Sequence, residues 1–139
     1  AGGYLTSMIG LDKRWLEPYG IDPDTAFVAL IPYSGQVVTH FERRRELGLP
    51  DTQPLVDDMA PLSYVRPDCR PMLILSGDRE REMLGRYEEN AYFWRMMRVA
   101  GHPDVRICEF DGFDHGNMPQ AGHFVAVRYI REMERRMDR

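Results

Sequence analysis

A chain of 139 residues, 43% apolar and 29% charged, has the length of one domain and the composition of a folded, water-facing protein. Its net charge of −4, with the basic residues scattered, excludes the electrostatic footprint of a nucleic-acid binder. No apolar run approaches the roughly 18 residues of a membrane span, so no membrane partner is expected.

Ala1, Leu5, Met8 and Ile9 carry small or apolar side chains at helical spacing, which predicts a mostly buried helix over residues 1–11. No capping residue stands ahead of it, an unusual start for a natural domain. Trp15 to Asp24 is turn-rich. Ala26 to Ile31 is a continuous apolar run of strand length, stopped by Pro32, and such runs suit strands covered on both faces of a parallel sheet.

Residues 34–67 form a long stretch broken by prolines at 50, 54, 61 and 67, which predicts a functional or covering loop. Within it, Arg43-Arg44-Arg45 is flanked by Glu42 and Glu46, the pattern of a solvated helical face. Asp57 to Leu62 reads as a short capped helical turn. Met72 to Leu75 is the next strand, followed by an amphipathic helix over 82–100 with Met83, Tyr87, Ala91, Trp94 and Met97 on one side. Val105 to Phe110 is the last strand. The final helix runs from about Gly122 to Met137, with Ala126, Ile130, Met133 and Met137 inward. The order of elements indicates an α/β domain with a parallel sheet. Cys69 and Cys108 fall toward opposite ends of neighbouring strands, so two free thiols are expected.

The loops after the last two strands carry the chemistry. His115 sits between Gly112 and Gly116 directly after a strand, where reactive groups of open α/β sheets gather. An acid that orients its imidazole is available in the loop after Gly77. Glu80 is the first choice and Asp78 the alternative; Asp114, adjacent in sequence, points elsewhere. His40 and Tyr33 are candidates for substrate contact. His102 is a turn residue and His123 opens the last helix. No pair has the spacing of a metal site, so no metal and no cofactor is expected.

Ala1-Gly2-Gly3-Tyr4-Leu5 resembles the segment after the nucleophile in α/β-hydrolase esterases carrying G-x-S-A-G-G. Pro32-Tyr33-Ser34-Gly35 resembles that family's stretch after its sixth strand. Asp57 to Leu62 resembles its segment with a small residue before proline. Leu75-Ser76-Gly77-Asp78-Arg79-Glu80 and Gly112-Phe113-Asp114-His115-Gly116 resemble its acid and histidine loops. The likeness is strongest to bacterial carboxylesterases of the acetyl-esterase and feruloyl-esterase-like group. Such relatives usually have Asp where Glu80 stands, which keeps Asp78 in play.

The resemblance implies the C-terminal half of an α/β-hydrolase over residues 1–139, three-layered, with its serine immediately before Ala1. It also implies a Ser–His–acid triad acting on a carboxylic ester, with the Ala1 N–H in the oxyanion hole. The expected partners are a small-molecule ester and the N-terminal half of the same domain. An amidase or formamidase on the same scaffold is the alternative enzyme, and a degenerate hydrolase used for binding is the alternative without catalysis. None of Ser7, Ser34, Ser63 and Ser76 occupies the nucleophile position, so the chain by itself is expected to be inactive.

Overall fold

Helix α1 (Gly2–Leu11) opens the chain and is followed by two 3-10 turns, Lys13–Trp15 and Glu17–Tyr19, and a helical turn, α2 (Pro23–Ala26). A computed structural model describes all residues 1–139. A short helix, α3 (Phe41–Glu46), and a 3-10 turn, Pro61–Tyr64, punctuate the long central segment. Then come β1 (Met72–Gly77), α4 (Arg86–Val99), β2 (Val105–Phe110) and α5 (Met118–Met137).

β1 and β2 pair in parallel, with Met72 opposite Val105 and Gly77 opposite Phe110. Side chains alternate across β1 with the period of a strand. Met72 and Ile74 enter one apolar cluster with Leu11, Leu30, Phe93 and Met97; Leu73 and Leu75 enter another with Met118, Ala126, Tyr129 and Met133. Helix α4 therefore covers one face and α5 the other, giving an α/β three-layer arrangement. All six residues of β1 are buried, as its uninterrupted apolar run requires.

The third strand, expected over 26–31, is shifted and incomplete. Ala26 closes α2, and the extended segment lies beside β1 from Leu30 to Ser34. The Leu73 N–H donates to the Leu30 carbonyl (3.0 Å), the Leu75 N–H to Pro32 (3.1 Å), and the Ser34 N–H to Leu75 (2.7 Å). Pro32 has no N–H to continue this alternation, so the ladder is reduced to bridges at Leu30 and Tyr33.

Three helix readings also change. Gly85 adopts a left-handed conformation (φ 68°), so α4 starts at Arg86, not at residue 82, and residues 78–85 are a loop. The buried face of α4 is Arg86, Asn90, Phe93 and Met97, half of it polar. Helix α5 begins at Met118 with Pro119 in its first turn, and Ile130 and Met137 lie outward while Tyr129 lies inward. The run Arg43-Arg44-Arg45 is not uniformly solvated either. Arg43 and Arg45 pair with Glu46 and Glu42 (both 2.8 Å), but Arg44 is buried and donates to the carbonyls of Thr39, Asp51 and Gln53 at 2.8–3.0 Å. One guanidinium thus clips the segment around α3 into a fixed cover. Cys69 and Cys108 are unpaired. No helix is long and apolar enough to cross a membrane.

Backbone contact sets the position of α1. A Cβ on Gly35 would stand 2.3 Å from the Gly3 carbonyl carbon, and one on Gly3 would stand 2.7 Å from the Tyr33 carbonyl oxygen. Only hydrogen at both positions lets the first turn of α1 lie directly on the Tyr33–Gly35 backbone.

Candidate active site

The carboxyl ends of β1 and β2 bring two loops together. The loop after β1 is held to the loop after β2 by the Asp78 N–H donating to the Phe113 carbonyl (2.8 Å). In return the Gly112 N–H donates to the Asp78 carboxylate, also at 2.8 Å. Gly77 allows this approach, since a Cβ there would be 2.7 Å from the Phe113 oxygen. Hydrogen bonds from the Gly112 and Glu80 N–H groups hold the Asp78 carboxyl below the usual carboxylate range. Asp78 is thereby occupied with backbone.

Glu80 is exposed, and its side chain makes no hydrogen bond or ion pair with His115. The carboxylate that meets the histidine is Glu82: His115 Nδ1 lies 3.1 Å from Glu82 Oε2. Neither acid named from sequence is in contact with the ring. The physical reason is the left-handed Gly85, which keeps residue 82 off the helix and lets its side chain turn back under the loop.

The Glu82 side chain is fully buried while the His115 side chain is 39% exposed, so the pair has a dry end and an open end. Both oxygens of Glu82 are doubly engaged. Oε1 accepts from the Gly77 N–H (3.1 Å) and from the Ser34 hydroxyl; Oε2 accepts from the Met83 N–H (3.0 Å) and faces His115. Burial alone would raise its pKa, but these donors and the histidine outweigh it and hold the carboxyl below its ordinary value. An ionised carboxylate on Nδ1 fixes the ring and leaves Nε2 for chemistry. The Asp114 side chain turns back on its own loop ahead of α5, accepting from the Gly116 and Asn117 N–H groups (both 2.9 Å).

His115 borders a cavity of about 400 Å³ that is also lined by Ala1, Gly2, Gly3, Tyr33 and Ser34. Ala1, the N-cap of α1, and Tyr33 therefore share the site with His115. The Tyr33 hydroxyl sits 3.0 Å from His123 Nδ1, and burial pushes the phenol up. His40 does not line this cavity, although it lies near enough to feel the Ala1 amine: its Nδ1 accepts from the Glu42 N–H as the cap of α3, and its ring stacks on Phe41 and tilts against Tyr4. His102 is buried in a turn, bonded to Cys69 and Asp104. No serine of the chain hydrogen-bonds His115: Ser34 bonds Glu82, Ser63 and Ser76 donate to carbonyls, and the buried Ser7 hydroxyl has no partner.

Sequence reasoning missed Glu82 and Ser34. The available signal for Glu82 was Gly85, a weak helix former placed three residues after it, which marks a loop rather than a helix interior.

A parallel sheet between helices is an α/β fold that matches the C-terminal half of an esterase fold. Solved structures of a thermophilic esterase, Est2 of the planctomycete Thermogutta terrifontis, superimpose on it. The propionate-bound form gives a TM-score of 0.68 at 20% identity, covering 95% of this chain and 53% of that one. The native form gives 0.68 at 19%, covering 95% and 52%. The form phosphonylated by sarin gives 0.65 at 18%, covering 95% and 54%. The chain thus spans about half the length of these structures, and at such identities the likeness establishes the fold. No protein-family profile and no curated protein matches the chain.

Proposed function

We propose that this chain is the acid-and-histidine half of a serine hydrolase that cleaves carboxylic esters of short acyl chains. The observation that carries the reading is the Glu82–His115 pair, buried at its acid end and open at its histidine end beside the first turn of α1. In this reading a serine immediately before Ala1 attacks the ester carbonyl. His115 Nε2 takes the serine proton and later delivers it to the leaving alcohol, and Glu82 stabilises the imidazolium between the two steps. In the same reading the Ala1 N–H, at the start of α1, serves the oxyanion hole. Structural neighbours that bind propionate and butyrate, and that are phosphonylated by sarin, support a short-acyl serine esterase.

The test uses the full-length protein containing this chain, assayed on p-nitrophenyl acetate and butyrate and on the matching anilide. Ester turnover that is lost in His115→Ala and blocked by an organophosphate supports the proposal. Turnover indifferent to His115, or no ester turnover at all, defeats it. A preference for the anilide redirects the reading to an amidase.

A further inference from the structure

Ser34 is the only non-glycine residue of the chain in the left-handed region, at φ 42°. A serine there is strained relative to glycine, and such residues persist where the surroundings over-determine them. Here they do. The Ser34 N–H donates to the Leu75 carbonyl (2.7 Å), Arg86 Nη1 donates to the Ser34 carbonyl (2.5 Å), and Asn90 Nδ2 donates to the Gly35 carbonyl (2.8 Å). Both Arg86 and Asn90 are buried polar residues of α4. If the backbone shape were all that mattered, glycine would meet it with less strain. The retained side chain points to a task for the hydroxyl.

That task is visible at Glu82. A carboxylate only accepts, so the Ser34 hydroxyl must donate its proton to Oε1. With the Gly77 N–H on the same oxygen, this leaves Oε2 to the Met83 N–H and to His115. We propose that Ser34 is a positioning residue: its hydroxyl pins Glu82 Oε1 so that Oε2 stays in line with His115 Nδ1. The proposal rests on the hydrolase reading of the same pair.

The groups facing Glu82 are few. His115 approaches from the loop after β2, and Ser34 and Gly77 from the sheet ends. Arg86 of α4 carries a charge that feels Glu82, with Glu89 and Arg44 behind it. Arg86 spends its bond on the Ser34 carbonyl and makes none to the Glu82 carboxylate, so no cation replaces the hydroxyl if it is removed. Loss of one donor makes the carboxylate more basic. It then favours the imidazolium over the free base.

The experiment compares Ser34→Ala and Ser34→Gly in the full-length protein. Both remove the hydroxyl, but glycine relaxes the backbone while alanine leaves it strained. The expected result is a fall in kcat of about 10-fold or more in both variants, with KM little changed and the acid limb of kcat/KM moved to higher pH. Wild-type kcat in either variant overturns the proposal, and so does a loss without movement of the acid limb. The NMR resonance of the His115 Nδ1–H in wild type and both variants reads its bond to Glu82 without any substrate. A resonance that moves in both variants supports the role of Ser34 even if ester turnover is absent; one that stays fixed overturns it.

Discussion

The carboxyl end of the sheet and its outer edge are built in opposite ways. At the carboxyl end two loops, usually the loosest parts of a fold, are bonded to each other through Asp78, Gly112 and Phe113, with Glu82 saturated by four partners. At the edge, a strand segment that would normally be rigid keeps only the bridges at Leu30 and Tyr33. Beside it lies an apolar groove of about 300 Å³ lined by Phe27, Val28, Ile31, Ile130 and Met133, with Val28 38% and Ile130 43% exposed. The carboxyl end is thus fixed by bonds among residues 34–117, whereas the edge leaves apolar surface open to solvent.

The largest effect should come from the carboxyl end. Glu82→Gln in the full-length protein replaces an acceptor that stabilises imidazolium by an amide that does not. Its kcat should fall by about 10³–10⁴-fold, while Glu80→Gln should stay within about twofold of wild type. Steady-state kinetics on a p-nitrophenyl ester would decide, and equal losses in the two variants would break the assignment of Glu82. Next in size is Gly35→Ala. Its Cβ would meet the Gly3 backbone at 2.3 Å, and backbone cannot rotate away as a side chain can. Overpacking of this kind costs about 1–3 kcal/mol, read as a lower urea midpoint at unchanged slope.

The edge yields a subtler readout. The 139-residue chain by itself should self-associate through the Ala26–Tyr33 side of the sheet, and Val28→Lys should shift it toward monomer in sedimentation velocity without lowering the melting temperature. A wild-type chain that sediments as a monomer at high concentration would show that the groove is no docking edge, and the contrast between the two regions would lose half its force.

These regions also differ in how well the sequence announced them. β1 and β2 were legible because strand-length segments between turn residues are local signals, and α5 because apolar residues recur at helical spacing, although packing buries Tyr129 in place of Ile130 and Met137. His115 was legible because its glycine-flanked loop follows a strand. Glu82 was not, because the turn that frees it depends on the left-handed Gly85 and on donors supplied from Gly77 and Ser34, residues distant in the helical register assumed for it. Arg44 shows the same limit. Its charge pattern matched a solvated face, but three carbonyls of a curved segment outcompete water for it. The offset of the edge strand came from Pro32 together with the capture of Ala26 by α2, a competition that strand length and hydropathy do not express.

The smallest expected effect lies on the flank between β2 and α5, where local charge rather than tertiary assembly sets the outcome. Arg106 reaches Glu132 with both terminal nitrogens (2.8 and 2.9 Å), and Arg136 adds a third contact at 2.7 Å. The hydrogen bonds from Arg106 are the main cause that brings the Glu132 carboxyl down to about 2. A carboxylate depressed in the fold adds stability that is complete above its ordinary value near 4.5 and drains away as the pH falls toward 2. The Glu132 side chain is 35% exposed, so water screens the pair and the contribution should be only about 0.5–1 kcal/mol. Glu132→Gln should therefore lower the urea midpoint slightly at pH 7 and leave it equal to wild type near pH 2. Added salt should shrink the difference at pH 7. A gap between the two proteins that persists in acid would mean that Glu132 acts through packing of its stem against Arg106 and Arg136, and not through its charge.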